Sequence, residues 1–183
     1  MNIWYDISPD RVSPEDFMAV IEISKFSNMK YEMDKDTGLL RLDRVLHTAT
    51  HYPANYGFIP VTYGDDNDPL DVLVLCSGAI MPMTLVRCYP IGVFEMNDNG
   101  KQDEKIIAIP FSDPGYNYCK TVDDLPKHLF DEIQHFFSVY KQLEGKATTV
   151  DSVKGRDEAV RVISQAIDNY KSKFAESGGS GVN

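Results

Sequence analysis

The stretch Y-G-D-D-N-D-P-L-D-V-L-V-L (63–75) concentrates the carboxylates of this chain. Asp65, Asp66, Asp68 and Asp71 fall within seven positions and lead straight into an apolar strand. Strand alternation puts Asp71 on the same face as Leu73 and Leu75. Like charges this close repel unless a cation neutralises them, and clustered carboxylates are the hard oxygen donors that magnesium prefers. An Asp-rich turn feeding a strand is the plainer account of the same residues. The loop is not an EF-hand, because Asp71 rather than Gly takes the sixth position counted from Asp66 and Ser77 rather than Glu the twelfth. A second acidic segment runs over 96–105. Asp98 precedes its turn glycine, and Asp103 and Lys105 share strand parity with Ile107 and Ile109. Alone, that segment is accounted for by a solvated hairpin tip.

Cationic and phenolic groups occupy comparable settings. Arg44 continues the alternation of Leu40 and Leu42, where a guanidinium is costly unless it meets an anion. Lys30 shares a strand face with Glu32, for which a surface ion pair suffices. Tyr140 lies on a helical apolar stripe and Lys141 follows it, readings that need only packing and solvation. His47 and His51 are four apart, but the strand before them and Pro53 after them argue against a helical metal pair, and His128 and His135 are expected to pack or solvate. There is no P-loop, no G-x-G-x-x-G and no G-x-S-x-G. Carboxylates with a few Lys, Arg and Tyr, and no Ser or Cys nucleophile motif, suit metal-assisted hydrolysis of a phosphate anhydride. A bound cation lowers the pKa of water, basic groups hold the phosphate oxygens, and a free carboxylate takes the proton.

These residues need elements to position them. The 183 residues suffice for one domain with a real core, at 43% hydrophobic residues. Lys and Arg number 18 against 28 Asp and Glu, a net charge of −10, which disfavours nucleic acid and anionic membrane as partners. The N-terminus has no signal-peptide pattern and no segment reaches membrane-spanning length. Three cysteines without a C-x-x-C point to a reducing compartment, hence a cytoplasmic protein, with thiols serving as small core residues. Apolar runs bounded by turn residues predict strands over 17–24, 29–34, 38–46, 70–76, 84–96 and 104–111. Turns are predicted at 34–38 and 97–100. Short strands without alternating helices imply a small antiparallel barrel or sandwich. A helix is predicted over 123–145, capped by Asp123 or Asp124 and ended by Gly145, with Leu129, Ile133, Phe136, Phe137, Tyr140 and Leu143 as its stripe. A second is predicted over 156–174. Residues 1–174 are expected to form one catalytic domain and 175–183 a disordered Gly/Ser-rich tail.

D-N-D-P-L-D-V (66–72) resembles the signature of the family I soluble inorganic pyrophosphatases, D-[SGDN]-D-[PE]-hydrophobic-D-hydrophobic. Further matches follow in order: I-E-I with Glu22, K-Y-E at 30–32, L-D-R ending in Arg44, Y-P-A-N-Y-G-F-I-P at 52–60, R-C-Y-P-I-G-V at 87–93, D-x-x-x-x-D-x-K at 98–105, D-L-P at 124–126 and H-F-F-x-x-Y-K-x-L-E at 135–144. The resemblance spans residues 17 to 174 and is similar to bacterial short chains. It implies an α+β fold, an OB-like five-stranded antiparallel barrel flanked by two C-terminal helices. The implied activity is hydrolysis of pyrophosphate to two phosphates with several Mg2+ per site, Mn2+ as a substitute, in a homo-oligomer with a hexamer favoured. By position, Asp66, Asp71 and Asp103 match ligands of the tightest metal, with Asp71 bridging to the next. Asp98 and Asp103 match a substrate-linked metal, Glu22 contacts the cluster, and Asp68 matches the general base. Lys30, Arg44, Tyr56, Lys105, Tyr140 and Lys141 match the phosphate-binding groups, and Glu32 and Tyr52 support them. Three departures are Asn99 for a frequent acid, Asn67 for the common Gly, and a Glu22–Lys30 segment one residue short with Ser24 for a frequent Pro. The competing readings are a non-catalytic OB-fold binding module, which lacks the aromatic–basic stripe single-strand binding needs, and a metal-dependent phosphatase acting on another polyphosphate.

Overall fold

A computed structural model describes residues 2–98, 101–146 and 148–175. In chain order the strands are β1 (Val12–Ser13), β2 (Asp16–Ile23), β3 (Met29–Met33), β4 (Leu40–Val45), β5 (Asn55–Phe58), β6 (Asp71–Val74), β7 (Leu85–Asp98), β8 (Lys101–Gln102), β9 (Lys105–Pro110) and β10 (Thr148–Gly155). The helices are α1 (Lys127–Val139) and α2 (Arg156–Ala175). Strands β2, β5, β6, β9 and β7 pair in that order, and β7 pairs back onto β2, which closes a five-stranded barrel. Four seams are antiparallel, as expected from sequence, and the fifth, β6 with β9, is parallel. That seam is possible because the long β7 intervenes in the chain and pairs with β9 from the other side, so the chain returns to β6 without a crossover helix.

One long strand, β7, serves β2, β9 and β10, and pairs with the short β8 at its end. Leu85 to Cys88 of β7 pair with β2, Cys88 to Phe94 with β9, and Gly92 to Asp98 with β10. The register shifts between Pro90 and Gly92, where a bulge bends the strand. Side chains alternate between two cores. On one side Leu73, Ile107, Ile91 and Phe94 pack against Ile133, Phe136 and Phe137 of α1. On the other Val72, Val74, Ile106 and Val93 pack against Ala159, Val162, Ile163 and Ile167 of α2. No described helix is long and apolar enough to cross a membrane.

Several local expectations are corrected. The segments predicted as barrel strands at 29–34 and 38–46 form a separate two-stranded ribbon, β3 with β4, with Leu42 half-exposed. Strands β5 and β10 are additional to those expected: β5 follows Pro53 and contains Gly57, and β10 is mostly polar and lies at the end of the pairing order. The helix predicted over 123–145 is shorter. Asp124 accepts from Thr121 N–H and caps a 3-10 turn ahead of Pro126, and α1 begins at Lys127. Leu143 is 69% exposed and leaves the stripe, while Gly145 ends the final turn at φ 71°. Cys88 and Cys119 are buried thiols, as expected, and Cys76 is half-buried. Ala175, the first residue of the expected tail, ends α2, and 176–183 lie outside the described residues.

Gly57 of β5 is required by contact rather than by torsion. A Cβ there would stand 1.8 Å from the carbonyl oxygen of Val20, so β2 and β5 approach as only glycine permits. Gly57→Ala is expected to cost at least about 3 kcal/mol, since backbone must move; urea unfolding at constant m reads it, and an unchanged midpoint would refute the contact.

Asp113 anchors the chain after β9. Burial alone would raise its carboxyl, but Ser77 N and Oγ donate to it at 2.7 and 2.9 Å and Gly115 N at 2.9 Å, and these bonds hold it below the ordinary carboxylate value. A depressed native pKa gives stability that is present above the ordinary value and lost as pH falls through the native one. The melting temperature of wild type should therefore exceed that of Asp113→Asn near neutrality, and the gap should close in strong acid. A gap constant down to pH 2 would contradict this.

Candidate active site

The parallel seam sets the centre of the site. Asp71 opens β6 and Lys105 opens β9, and the two are register partners. Their side chains therefore emerge side by side at one end of the barrel, next to Tyr56 of the adjoining β5. Lys105 is 2% exposed. Its Nζ donates to Asp71 Oδ2 at 2.7 Å, to Asp103 Oδ1 at 2.9 Å and to Tyr56 Oη at 3.1 Å, so all three of its hydrogens are used. Tyr56 in turn donates its hydroxyl to Asp71 Oδ2. Burial alone would lower the Lys105 pKa, but Asp71, Tyr56 and Asp103 outweigh it and the ammonium persists. Burial likewise holds the Tyr56 phenol well above its usual range.

Around this centre lies a polar cavity of about 660 Å³. Asp66 and Asp68 reach it from the turn before β6, in which Asn67 adopts φ 72°. Asn tolerates that left-handed conformation, which explains how it replaces Gly there. Burial, then crowding by Asp71, Asp68 and Asp103, raises the Asp66 carboxyl against the Asp68 N–H that donates to it. Glu22, buried near the end of β2, accepts from Met33 N at 2.7 Å. Burial pushes its pKa up to about 8. The β3–β4 ribbon supplies the opposite wall. Lys30 pairs with Glu32 and lies 3.3 Å from Asp43 Oδ2. Arg44 Nε donates to Glu144 Oε1 at 2.8 Å and Nη1 to Asp43, while Nη2 is buried with no hydrogen-bond partner among the described residues.

Of the residues singled out from sequence, Glu22, Lys30, Glu32, Tyr56, Asp66 and Asp68 line this cavity, and so do Asp71, Asp103, Lys105, Tyr140 and Lys141. Tyr52 sits beneath it, its ring 5.5 Å from that of Tyr56 and 4.8 Å from that of Phe136. Arg44, on β4 opposite Lys30, is not part of the lining and is tied to Glu144 and Asp43. The Asp98 side chain and Asn99 lie outside the described residues. Lys35 and Arg41 also line the cavity and were not anticipated. Lys35 lay in a segment explained as a turn, D-K-D-T-G, and nothing in that pattern marks it for chemistry. Residues 47–51 are not helical, which removes the His47–His51 pair.

The family model described as inorganic pyrophosphatase matches residues 19–171. The chain belongs to the inorganic pyrophosphatase family. It is 48% identical over 169 residues to an inorganic pyrophosphatase of Aquifex pyrophilus, covering 91% of this chain and 96% of that protein. The solved inorganic pyrophosphatase of Helicobacter pylori superposes with a TM-score of 0.84 at 46% identity, over 87% of this chain and 95% of that one. The one from Thermus thermophilus gives 0.89 at 36% identity, over 93% and 99%.

Members of the pyrophosphatase family in general need divalent metal, and the donors here fit one. Asp66, Asp71 and Asp103 are hard oxygen donors whose mutual repulsion a cation would relieve. Among the described residues no three such side chains already converge as a metal cage; Asp71 and Asp103 instead turn toward Lys105. Replacing that ammonium tests the balance. Lys105→Met should lose about 3–5 kcal/mol of metal-free stability, because it leaves Asp71 and Asp103 uncompensated. Added Mg2+ should recover part of the loss, as read by urea unfolding. A variant as stable as wild type without metal would show that the ammonium is not their counter-ion.

Proposed function

We propose that this chain hydrolyses inorganic pyrophosphate to two phosphates in a reaction dependent on Mg2+, with Mn2+ able to replace it. Membership of the family makes it an inorganic diphosphatase, a hydrolase of the phosphoanhydride bond. The observation that carries the site assignment is the Lys105–Asp71–Asp103–Tyr56 network at the base of a cavity that Asp66 and Asp68 also face. Asp66, Asp71 and Asp103, with Asp98 and Glu22, would hold the cations. When bound, these supply an acidified water and neutralise phosphoryl oxygens.

The chain's own groups do the rest. Asp68, half-exposed at the cavity mouth, accepts the proton of the attacking water and passes it to solvent. Lys30 and Lys141 offer ammonium hydrogens to the phosphate oxygens and Tyr140 a hydroxyl, and Lys105 and Tyr56 would join them once cations take Asp71 and Asp103, the acceptors that now hold their hydrogens. Arg44 joins them through its buried Nη2, a donor whose natural acceptor is an anion. Glu32 holds Lys30 in place, and Tyr52 packs beneath Tyr56. We also assign residues 1–174 to one catalytic domain and 175–183 to a tail. We favour a homo-oligomer, a hexamer, supported by exposed Phe26, Met81 and Met83. Free thiols at Cys76, Cys88 and Cys119 support a cytoplasmic setting.

Purified protein with Mg2+ should release phosphate from pyrophosphate, faster than from ATP, and chelator should abolish release. Asp68→Asn should lower kcat by about 10²–10⁴ with Mg2+ binding largely kept. Unchanged turnover in that variant would remove Asp68 from its role, and no release by wild type would end the reading.

A further inference from the structure

Lys35 has no place in the reaction as set out above, yet its surroundings are specific. It follows β3 at the mouth of the cavity. Its ammonium is ion-paired with Asp68 Oδ1 and stands 5.2 Å from the centre of the Trp4 ring. Its carbonyl accepts from Asn2 Nδ2 at 2.5 Å. The indole is fixed. Trp4 is 2% exposed, its Nε1 donates to Thr62 O at 3.0 Å, and it stacks with Tyr5 and with Tyr63, with the edge of Phe174 against it. One ammonium is thus bracketed by a rigid ring on one side and a single carboxylate oxygen on the other.

Stability does not account for this arrangement. The two side chains are 46% and 49% exposed, and a pair so open to water contributes little. Its geometric effect is larger. The Asp68 backbone is held by its N–H to Asp66 Oδ1 at 3.1 Å and by Gly64 N donating to its carbonyl at 2.8 Å. Lys35 is the one described group that fixes the Asp68 side chain. It engages Oδ1 and leaves Oδ2 to take a proton. A base gains its aim from a third group that orients it.

We propose that Lys35 is the positioning residue for Asp68, with the Trp4 ring holding Lys35 in turn. The inference rests on Asp68 being the base of the pyrophosphatase reaction. Lys35→Met should lower kcat about 10-fold, as small misplacements of a catalytic group do, with KM within about 2-fold. Lys35→Arg should restore most of the rate, since it keeps a donor to Oδ1. The double variant Lys35→Met with Asp68→Ala should be no slower than Asp68→Ala alone, because Lys35 acts through Asp68.

A second arm needs no turnover. Trp4 is the sole tryptophan of the chain, so emission of the metal-free protein reports on the ammonium beside it. Lys35→Met should shift that emission. Asp68→Ala should shift it too, although Asp68 is not among the contacts of Trp4, and should have no effect in the Lys35→Met background. Wild-type kcat in Lys35→Met, or an additional loss in the double variant, overturns the positioning role. Emission unmoved by Asp68→Ala overturns the link to Trp4. A wild type that releases no phosphate defeats the base and positioning roles together, and is recognised because the emission coupling survives.

Discussion

A lysine ammonium cannot be buried without acceptors, and the arrangement of the barrel end follows from meeting that demand. Lys105 needs three acceptors within reach of one nitrogen. The β6–β9 register supplies Asp71, the residue two before β9 begins supplies Asp103, and β5 supplies Tyr56. Asp103 is local, two residues before Lys105, whereas Asp71 and Tyr56 are delivered by the sheet order β5–β6–β9. The cost of desolvating the charge is offset by the same groups that gather the carboxylates. The constraint that stabilises the ammonium is therefore also the one that concentrates oxygen donors at a single rim.

The chain's local chemistry was legible before its geometry. Alternation alone placed Asp71 with Leu73 and Lys105 with Ile107 on one face, and the fold brings those faces together. The ordered motifs then placed eleven of the expected side chains around one cavity. What the sequence hid was long-range pairing. β5 was missed because Gly57 is needed where β2 presses on it, a fact about a partner 37 positions away (Val20 to Gly57) rather than about local propensity. β10 was missed because its pairing with β7 outweighs a polar composition. Lys35 escaped notice for the same kind of reason: its partners, Asp68 and Trp4, are far from it in sequence.

The ribbon of β3 and β4 shows how the fold separates stability from approach to the cavity. It stands apart from the barrel sheet and carries Lys30, Glu32 and Arg44 on short strands. Besides the Asn2 bond to the Lys35 carbonyl, three ties fix it: Met33 N to Glu22, Arg44 to Glu144, and Lys35 to Asp68. Each joins the ribbon to a different neighbour, namely β2, the turn after α1, and the acidic loop. Cationic groups thereby face a carboxylate wall without sharing its sheet. The spacing between the two walls is set by side-chain contacts rather than by a hydrogen-bonded ladder.

The parallel seam also orders events during synthesis. β6 can pair with β5 at once, but it cannot find its second partner until β9 has left the ribosome, and β9 ends at Pro110. Until then Asp71 lacks the ammonium that pairs with it, since Lys105 lies on the strand still to come. A nascent chain stalled before residue 105 therefore carries β6 paired on its β5 edge alone, with Asp71 uncompensated at its start. Non-local pairing of this kind is slow to form, and here it makes the completion of the barrel and the neutralisation of its rim a single late step.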